Sequence, residues 1–369
     1  MGIWVAPHTG NLAGVKGGYV KIGICDVRLA RSASVAVILA TLMLPEIPLE
    51  RGTPLDLLSR YPERARALAD AAADTFGLAS RLTTLIAAPL ANRASRSWLQ
   101  RHHNPYRAEI DAMAELLGIH GVHALNVCFE WGCTSGVWPS PQGPVLRRVM
   151  DWGFPALGEN MVVLHQPGEA GPFHAITWPG VSGVFQGVAQ GRFAAAINQA
   201  PMRQRGAGMI GDWLLGRVAV KHASGLPPAH LLRQMFEQAP NYETAKRILS
   251  ETPIAVPAIF ILAGPREGCI IERTETEARL REMGKTGIAA ANHFEEMPGV
   301  WRPRPIDSAG RARCAHARVD FCDDFDWFVP PIANANSRLA FTATAQGALT
   351  LMGTAGPRPV TRALYLPAR

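Results

Sequence analysis

At Cys133 the hydrophobic periodicity of this chain changes from helical to strand-like, and that switch constrains the fold more than any other feature. Before it, residues 54–118 repeat apolar side chains every three and four positions in an Ala-, Leu- and Arg-rich run that includes "PERARALADAAADTFGLASRLTTLIAAPLANRASRSWLQ". In "NPYRAEIDAMAELLG", Asn104 and Pro105 open a helix, Ile110, Met113, Leu116 and Leu117 form its apolar stripe, and Gly118 ends it. "VHALNVCF" then reads as a strand leading to Cys133. Beyond Cys133 come short β-branched or aromatic runs broken by glycine turns: "VLRRVMDWGF", "NMVVLHQP", "FHAITWPGVSGVFQGVAQGRFAAAINQAP", "AIFILAGPREGCIIERT", "GIAAANHF" and "SRLAFTATAQGALTLMG". Helical patterns return at 213–223 and in "PAHLLRQMFEQAPNYETAKRILSET". This order predicts an α+β protein of packed antiparallel sheets covered by helices.

Composition narrows the function classes. The six cysteines include no CxxC pair, which argues against structural zinc, and their scatter suits a reducing compartment. A cytoplasmic location is therefore expected. The apolar run "ASVAVILATLMLP" at 33–45 is too short to span a bilayer and sits too far in for a signal core. It reads as a buried strand, although a misassigned start would revive export. A net charge of +7 favours an anionic partner. No basic run with interleaved aromatics appears, so nucleic acid is excluded as that partner. Residues 78–99 pair an apolar face with Arg81, Arg93 and Arg96. They read either as packed helix with solvated arginines or as a peripheral contact with a membrane surface.

Chemistry concentrates around "WGCTSGVWPSPQGPVLRRVMDW". Cys133 follows Gly132, and Arg148 and Asp151 come fifteen and eighteen residues later, a spacing suited to two strands joined by a loop. A cysteine nucleophile needs a base, and the histidines offer none with a recognisable signature. His174 and His293 lie in no papain or caspase motif, "GVSGV" around Ser182 misses the GxSxG spacing, and His120 and His123 lack the glutamate of HExxH and read as structural. A second route needs no histidine. Cleavage of the Gly132–Cys133 bond would give Cys133 a free α-amine with a pKa of roughly 8, so nucleophile and base would share one residue.

In order along the chain, "GCTSGVW", "RRVMDW", "GVFQGVAQGRFAAAINQAP", "NYETAKRILSETPIAVPAIFILAGPREGCIIER" and "AAANHF" resemble acid ceramidase and N-acylethanolamine-hydrolysing acid amidase. More distantly they resemble bile-salt hydrolases, penicillin V acylases and the fungal penicillin acyltransferase. The resemblance runs from about residue 39 to the C-terminus, whereas residues 1–35 have no counterpart. It implies the αββα sandwich of the N-terminal-nucleophile (Ntn) hydrolases, with a mainly helical propeptide-like segment over 36–132 and a catalytic segment over 133–369.

The resemblance further implies that Cys133 is a nucleophile freed by self-cleavage after Gly132, with Arg148 and Asp151 beside it. Asp151 would hold the α-ammonium, and Arg148 would offset Asp151 and favour the thiolate. Asn292 and Asn198 would donate to the oxyanion. Trp131, Trp152, Trp178 and Phe185, with Trp138 and Trp213, are candidates for an acyl pocket. The stretch after Asn198, "QAPMRQRGAGMIGDW", departs from the family's substrate-pocket pattern. The expected activity is hydrolysis of the linear amide of an N-acyl amine or lipid, without metal or cofactor, by a heterodimer of the chain's own two fragments. An acyltransferase using the same acyl-enzyme and an uncleaved lipid-binding protein remain as alternatives.

Overall fold

Two antiparallel sheets lie face to face, and the strand that begins at Gly132 is next to the edge of one of them. The computed structural model describes residues 43–368 except 77–80, 128–131, 154, 305 and 319–324, with backbone alone at 73–76 and 81–88. The first sheet runs β1 (Leu49–Arg51), β4 (Val162–Gln166), β5 (Phe173–Thr177), β6 (Gln186–Ala189), β7 (Phe193–Gln199), β9 (Ala258–Ala263), β10 (Gly268–Arg273) and β11 (Ala278–Glu282). All its neighbours are antiparallel except β1 on β4. The second runs β12 (Ile288–Ala290), β2 (Gly132–Trp138), β3 (Val145–Asp151), β14 (Ser337–Thr344), β15 (Leu349–Ala355) and β16 (Arg358–Pro359), with β17 (Leu364–Leu366) also on β15. A ribbon of β8 (Met202–Arg203) and β13 (Trp301–Arg302) stands apart.

Strand periodicity sorts the side chains. Successive residues point to opposite faces. Cys133 and Val137 of β2, Leu146 and Met150 of β3 and Phe341 of β14 fill the space between the sheets. Trp138, Val149 and Ala340 instead form a second core on the far face, with Trp327, Phe328 and Ile332. Helices close both outer faces. Helices α1 (Pro54–Arg60), α2 (Pro62–Phe76), α3 (Arg81–Arg101), α4 (Arg107–Leu117) and α5 (Val122–Asn126) build the N-terminal part. The short α6 (Leu157–Asn160) packs on β15, and α7 (Gly208–His222) on β8. Helices α8 (Pro228–Gln238) and α9 (Tyr242–Glu251) cover β7, β9 and β10, while α10 (Ser308–His316) packs on β2 and β12. The result is the expected helix–sheet–sheet–helix sandwich.

Local chemistry explains most boundaries. Thr53 and Asp56 form a reciprocal capping box at α1, with Thr53 N–H donating to Asp56 Oδ2 at 2.8 Å. Gly118 ends α4 in the left-handed conformation at φ 65°. The α4 stripe is narrower than the sequence suggests: Ile110, Met113 and Leu117 are buried, whereas Leu116 is 44% exposed. One element differs in kind. The strand expected over "VHALNV" is helix α5, because Asn92 Oδ1 accepts from the backbone N–H groups of Gly121 and His123 at its start. Asn126 also ties it down by donating to Val122 O and Gly180 O. Strand structure begins at Gly132. The run at 33–42 and Trp131 lie outside the described residues.

The 78–99 stretch is described only in part. Leu90 is exposed, but Trp98 and Leu99 are buried against α4, and Arg96 pairs with Asp111 at 2.9 Å. Among the described residues no helix is long and apolar enough to cross a membrane.

A buried polar joint fastens the N-terminal helices to the sandwich. Arg233 of α8 binds Glu109 of α4 at 2.5 Å and Glu237 at 2.7 Å, and its guanidinium lies 4.1 Å over the Tyr106 ring. Ser182 and Tyr106 hydroxyls donate to the same carboxylates. His230, wholly buried beside Arg233, accepts at Nδ1 from Asn104 at 2.9 Å. Burial, and then the neighbouring Arg233 charge, push its pKa down to about 3. The folded ring therefore stays neutral where the unfolded ring, titrating near 6.5, takes a proton. This stability is complete above pH 6.5 and is lost as pH falls towards 3. Comparing wild type with His230→Gln by denaturant titration, wild type should lose about 3 kcal/mol more between pH 6.5 and pH 4. Parallel profiles would show that His230 is not the acid-sensitive group.

Candidate active site

Cys133 is the second residue of β2, opposite Met150 of β3, and its side chain turns into the space between the sheets. Arg148 pairs in register with Ser135, two residues along β2 from Cys133, and faces the same space. Its Nη2 donates to Cys133 Sγ at 3.1 Å and its Nη1 to the carbonyls of Phe185, at 3.0 Å, and Ile197. The thiol is fully buried and weakly donates to Ile197 O at 3.8 Å. Burial pushes its pKa up to about 11, against the opposing pull of Arg148, Arg311 and the Gln199 backbone N–H. In the uncut chain Cys133 is thus a neutral thiol with a cation held on it.

Asp151 occupies a different side of the site. Arg148 and Asp151 are three residues apart on one strand, so their side chains leave opposite faces and cannot pair closely. The Asp151 charge still favours the Arg148 cation through space, but its direct ion pair lies elsewhere. Its ion pair is with Arg311 of α10, at 3.4 Å, and Ser337 donates to its other oxygen at 2.8 Å. Burial raises the Asp151 pKa, and Arg311 is the largest influence drawing it back down.

Arg311 is the residue that sequence reasoning missed. It is wholly buried, and Nη1 donates to Cys133 O at 2.6 Å and Thr134 Oγ1 at 2.7 Å, while Nη2 donates to Asn292 Oδ1 at 2.9 Å. The same Asn292 oxygen accepts from the Cys133 backbone nitrogen at 2.9 Å. The expectation for Asp151 concerns the α-ammonium that cleavage would free; the backbone N–H of the intact chain is held by Asn292. Asn292 is fixed in turn by donating to Gln199 O at 2.8 Å and, through its own N–H, to Ser308 Oγ at 2.8 Å. His293 also contacts Ser308 Oγ, at 2.7 Å, so it supports Asn292 rather than the thiol.

Other sequence candidates are placed as follows. Asn198 is buried, but its amide is committed: Oδ1 accepts from Ser135 at 2.6 Å and Nδ2 donates to Ala290 O and Ala291 O at 3.2 Å. In this state it braces β7 against β2 and β12, and the backbone N–H of the next residue, Gln199, is what faces Sγ. Trp152, Trp178 and Phe185 are buried core, their rings tilted or edge-on with Phe185 6.2 Å from each tryptophan. They pack within the core between the sheets, and the Phe185 carbonyl accepts from Arg148. His174 pairs with His165 at 3.3 Å on the first sheet, and Ser182 is in the Arg233 joint. His123 is buried on Asp111 at 2.8 Å, whereas His120 is exposed. Among the described residues no three metal-ligating side chains cluster.

No family model matches the chain. It is 28% identical over 203 residues to acid ceramidase of Heterocephalus glaber, covering 49% of this chain and 50% of that protein. Over 197 residues it is 29% identical to acid ceramidase of Rattus norvegicus, covering 47% and 48%. The chain thus spans about half the length of the curated relatives it matches. Among solved structures, the Caenorhabditis elegans N-acylethanolamine-hydrolyzing acid amidase ortholog aligns with TM-score 0.48 and 16% identity, over 64% of this chain and all of that one. The paired antiparallel sheets between helix layers, with a cysteine near the head of an inner strand, have the layered arrangement expected from the sequence. In sequence the chain is similar to acid ceramidases over about half its length, as its motifs imply.

Arg311→Ala should be severely damaging, because it strands the buried Asp151 carboxylate. Measured in a Cys133→Ala background, the loss should be about 3–5 kcal/mol of unfolding free energy. Arg311→Lys should recover part of it, since one ammonium restores charge without reaching four acceptors. Wild-type-like melting of Arg311→Ala would show that the pair contributes nothing.

Proposed function

We propose that this chain is a self-activated cysteine amidase that hydrolyses the linear amide bond of an N-acyl amine through an acyl-enzyme on Cys133. The observation that carries this reading is the double hold on one residue: Arg148 on Cys133 Sγ, and Asn292 on its backbone nitrogen. A structural cysteine needs neither. The similarity to acid ceramidases supports the same chemistry.

Activation begins with attack of Sγ on the Gly132 carbonyl carbon. The Gly132–Cys133 C–N bond breaks as the thiol proton passes to the departing nitrogen, leaving a thioester. Water then hydrolyses the thioester to the Gly132 carboxylate and restores the thiol. Cleavage removes the acyl group from the nitrogen and creates an amine with a pKa of roughly 8, able to take the thiol proton.

Turnover repeats the logic on a bound amide. The Cys133 thiolate, stabilised by Arg148, attacks the substrate carbonyl; the α-ammonium protonates the leaving amine and, as free amine, activates water for deacylation. The Gln199 N–H, which faces the sulfur, and the Asn292 amide, once released from Gln199 O, hold the developing oxyanion, where loss of one donor costs about 10²–10³ in rate. Arg311 and Asp151 position the first residues of β2. After cleavage the two fragments remain one body, because β1 pairs with β4 and the Arg233 joint crosses the cut.

The test is the intact mass of purified wild type beside Cys133→Ala. Wild type should give fragments of 132 and 237 residues, and the variant one chain of 369. Arg148→Ala and Asp151→Ala should each slow processing or turnover by at least about 10²-fold. An intact wild-type chain with no amidase activity would refute the reading.

A further inference from the structure

Helix α7 is rich in apolar residues on every side, yet it lies at the surface. Of its 15 residues only Asp212 is buried, where its carboxylate accepts from the backbone N–H groups of Arg205 at 2.9 Å and Ala207 at 3.1 Å. The inner side of the helix, with Trp213, Gly216 and Val220, lines a groove against β8 that reaches Gln199, the residue whose N–H faces Cys133 Sγ. The outer side carries Met209, Ile210, Leu214, Leu215 and Val218, each between 42% and 61% exposed. Ile210, Leu214 and Val218 follow one another at four-residue intervals and so form one stripe. A helix apolar all round belongs in a core or against lipid, and clustered aliphatic side chains left in water mark a contact surface.

The charges around the stripe decide what it contacts. Lys221 comes seven residues after Leu214, on the same face, and Arg205 precedes the helix at the mouth of the groove. Arg101 stands where α3 meets α7, next to the point at which Trp98 Nε1 donates to Val220 O at 2.9 Å. All three cations are exposed, and none has an ion pair among the described residues. No acid on either helix offsets them: α3 contains none, and Asp212, the single acid between residues 204 and 223, is buried. Aliphatic side chains edged by unpaired cations complement a bilayer that carries anionic headgroups over hydrocarbon. A two-fold contact with a second copy would instead set this cationic edge against itself.

We infer that α7 docks the protein on an anionic membrane surface. Its outer stripe sinks to the boundary between headgroups and acyl chains, Lys221 and Arg101 extend along their stems to the phosphates, and the groove on its inner side opens at the lipid. This places the contact on 208–222 and not on the 78–99 stretch, whose Trp98 and Leu99 are buried. The inference goes beyond the amidase reading and does not depend on it.

Flotation of the Cys133→Ala chain with vesicles tests it, comparing phosphatidylcholine alone with an equimolar mixture of phosphatidylcholine and phosphatidylglycerol. The chain should bind the anionic vesicles at least about ten-fold tighter. Leu214→Gln with Val218→Gln should weaken that binding by about ten-fold or more, and should leave the melting temperature in place because both side chains already face water. Lys221→Gln with Arg101→Gln should remove most of the preference for anionic lipid. No binding to either vesicle, equal binding to both, or binding that the Leu214→Gln, Val218→Gln pair leaves unchanged overturns the inference. So does self-association without vesicles that the same pair abolishes, which would make the stripe an interface between copies. Docking by a wild-type chain that neither cleaves itself nor turns over an amide would sink the amidase reading alone, and turnover without docking would sink only the membrane surface.

Discussion

The site depends on one buried guanidinium. Arg311 reaches from α10 to the carbonyl and neighbouring hydroxyl at the head of β2, to the end of β3 at Asp151, and to Asn292 beyond β12. Taking that charge out of water is costly unless every N–H finds an acceptor and a carboxylate balances it. Those conditions are met only when helix, both strands and the Asn292 turn are all in place. The same contacts that make Arg311 tolerable therefore fix where Cys133 sits. Its hydrogen bonding to Asn292 also turns that side chain's oxygen towards the Cys133 nitrogen.

A second buried cation, Arg148, acts on the other end of Cys133. It lies between the sheets, where apolar contacts dominate, and it is tolerated because Phe185, Ile197 and the thiol accept from it. Burial wins over its charge, which is why the thiol stays protonated in the uncut chain. On the proposed reading, cleavage before Cys133 would shift that balance by adding a titratable amine next to the sulfur.

Legibility from sequence follows the range of the interaction. β2 and β3 were readable because alternation is local, and the loop between Trp138 and Val145 is marked by prolines and a glycine. The same alternation implies that Arg148 and Asp151 leave opposite faces, a parity signal available in the spacing. α5 was not readable: its β-branched and aromatic neighbours resemble a strand, and the Asn92 cap that makes it helical comes from 29 residues upstream of Gly121. The aromatic residues near the site were ambiguous for a related reason, since ring size does not say whether a ring lines a cavity or fills a core. Trp152, Trp178 and Phe185 fill one.

By itself the sequence determined the order of helices and strands, the cysteine at a strand head, and the residues Arg148, Asp151 and Asn292 that come near it. These rest on periodicity, turn chemistry and motif, which act over a few residues or are carried by resemblance. Only the tertiary structure decided that Arg311, 160 residues from Asp151, completes that carboxylate's pairing. It also decided that Asn292 accepts from the Cys133 backbone nitrogen and that the Asn198 amide is spent on bracing strands. Each of these is a question of which buried charge meets which partner, and burial exists only once the sheets have closed.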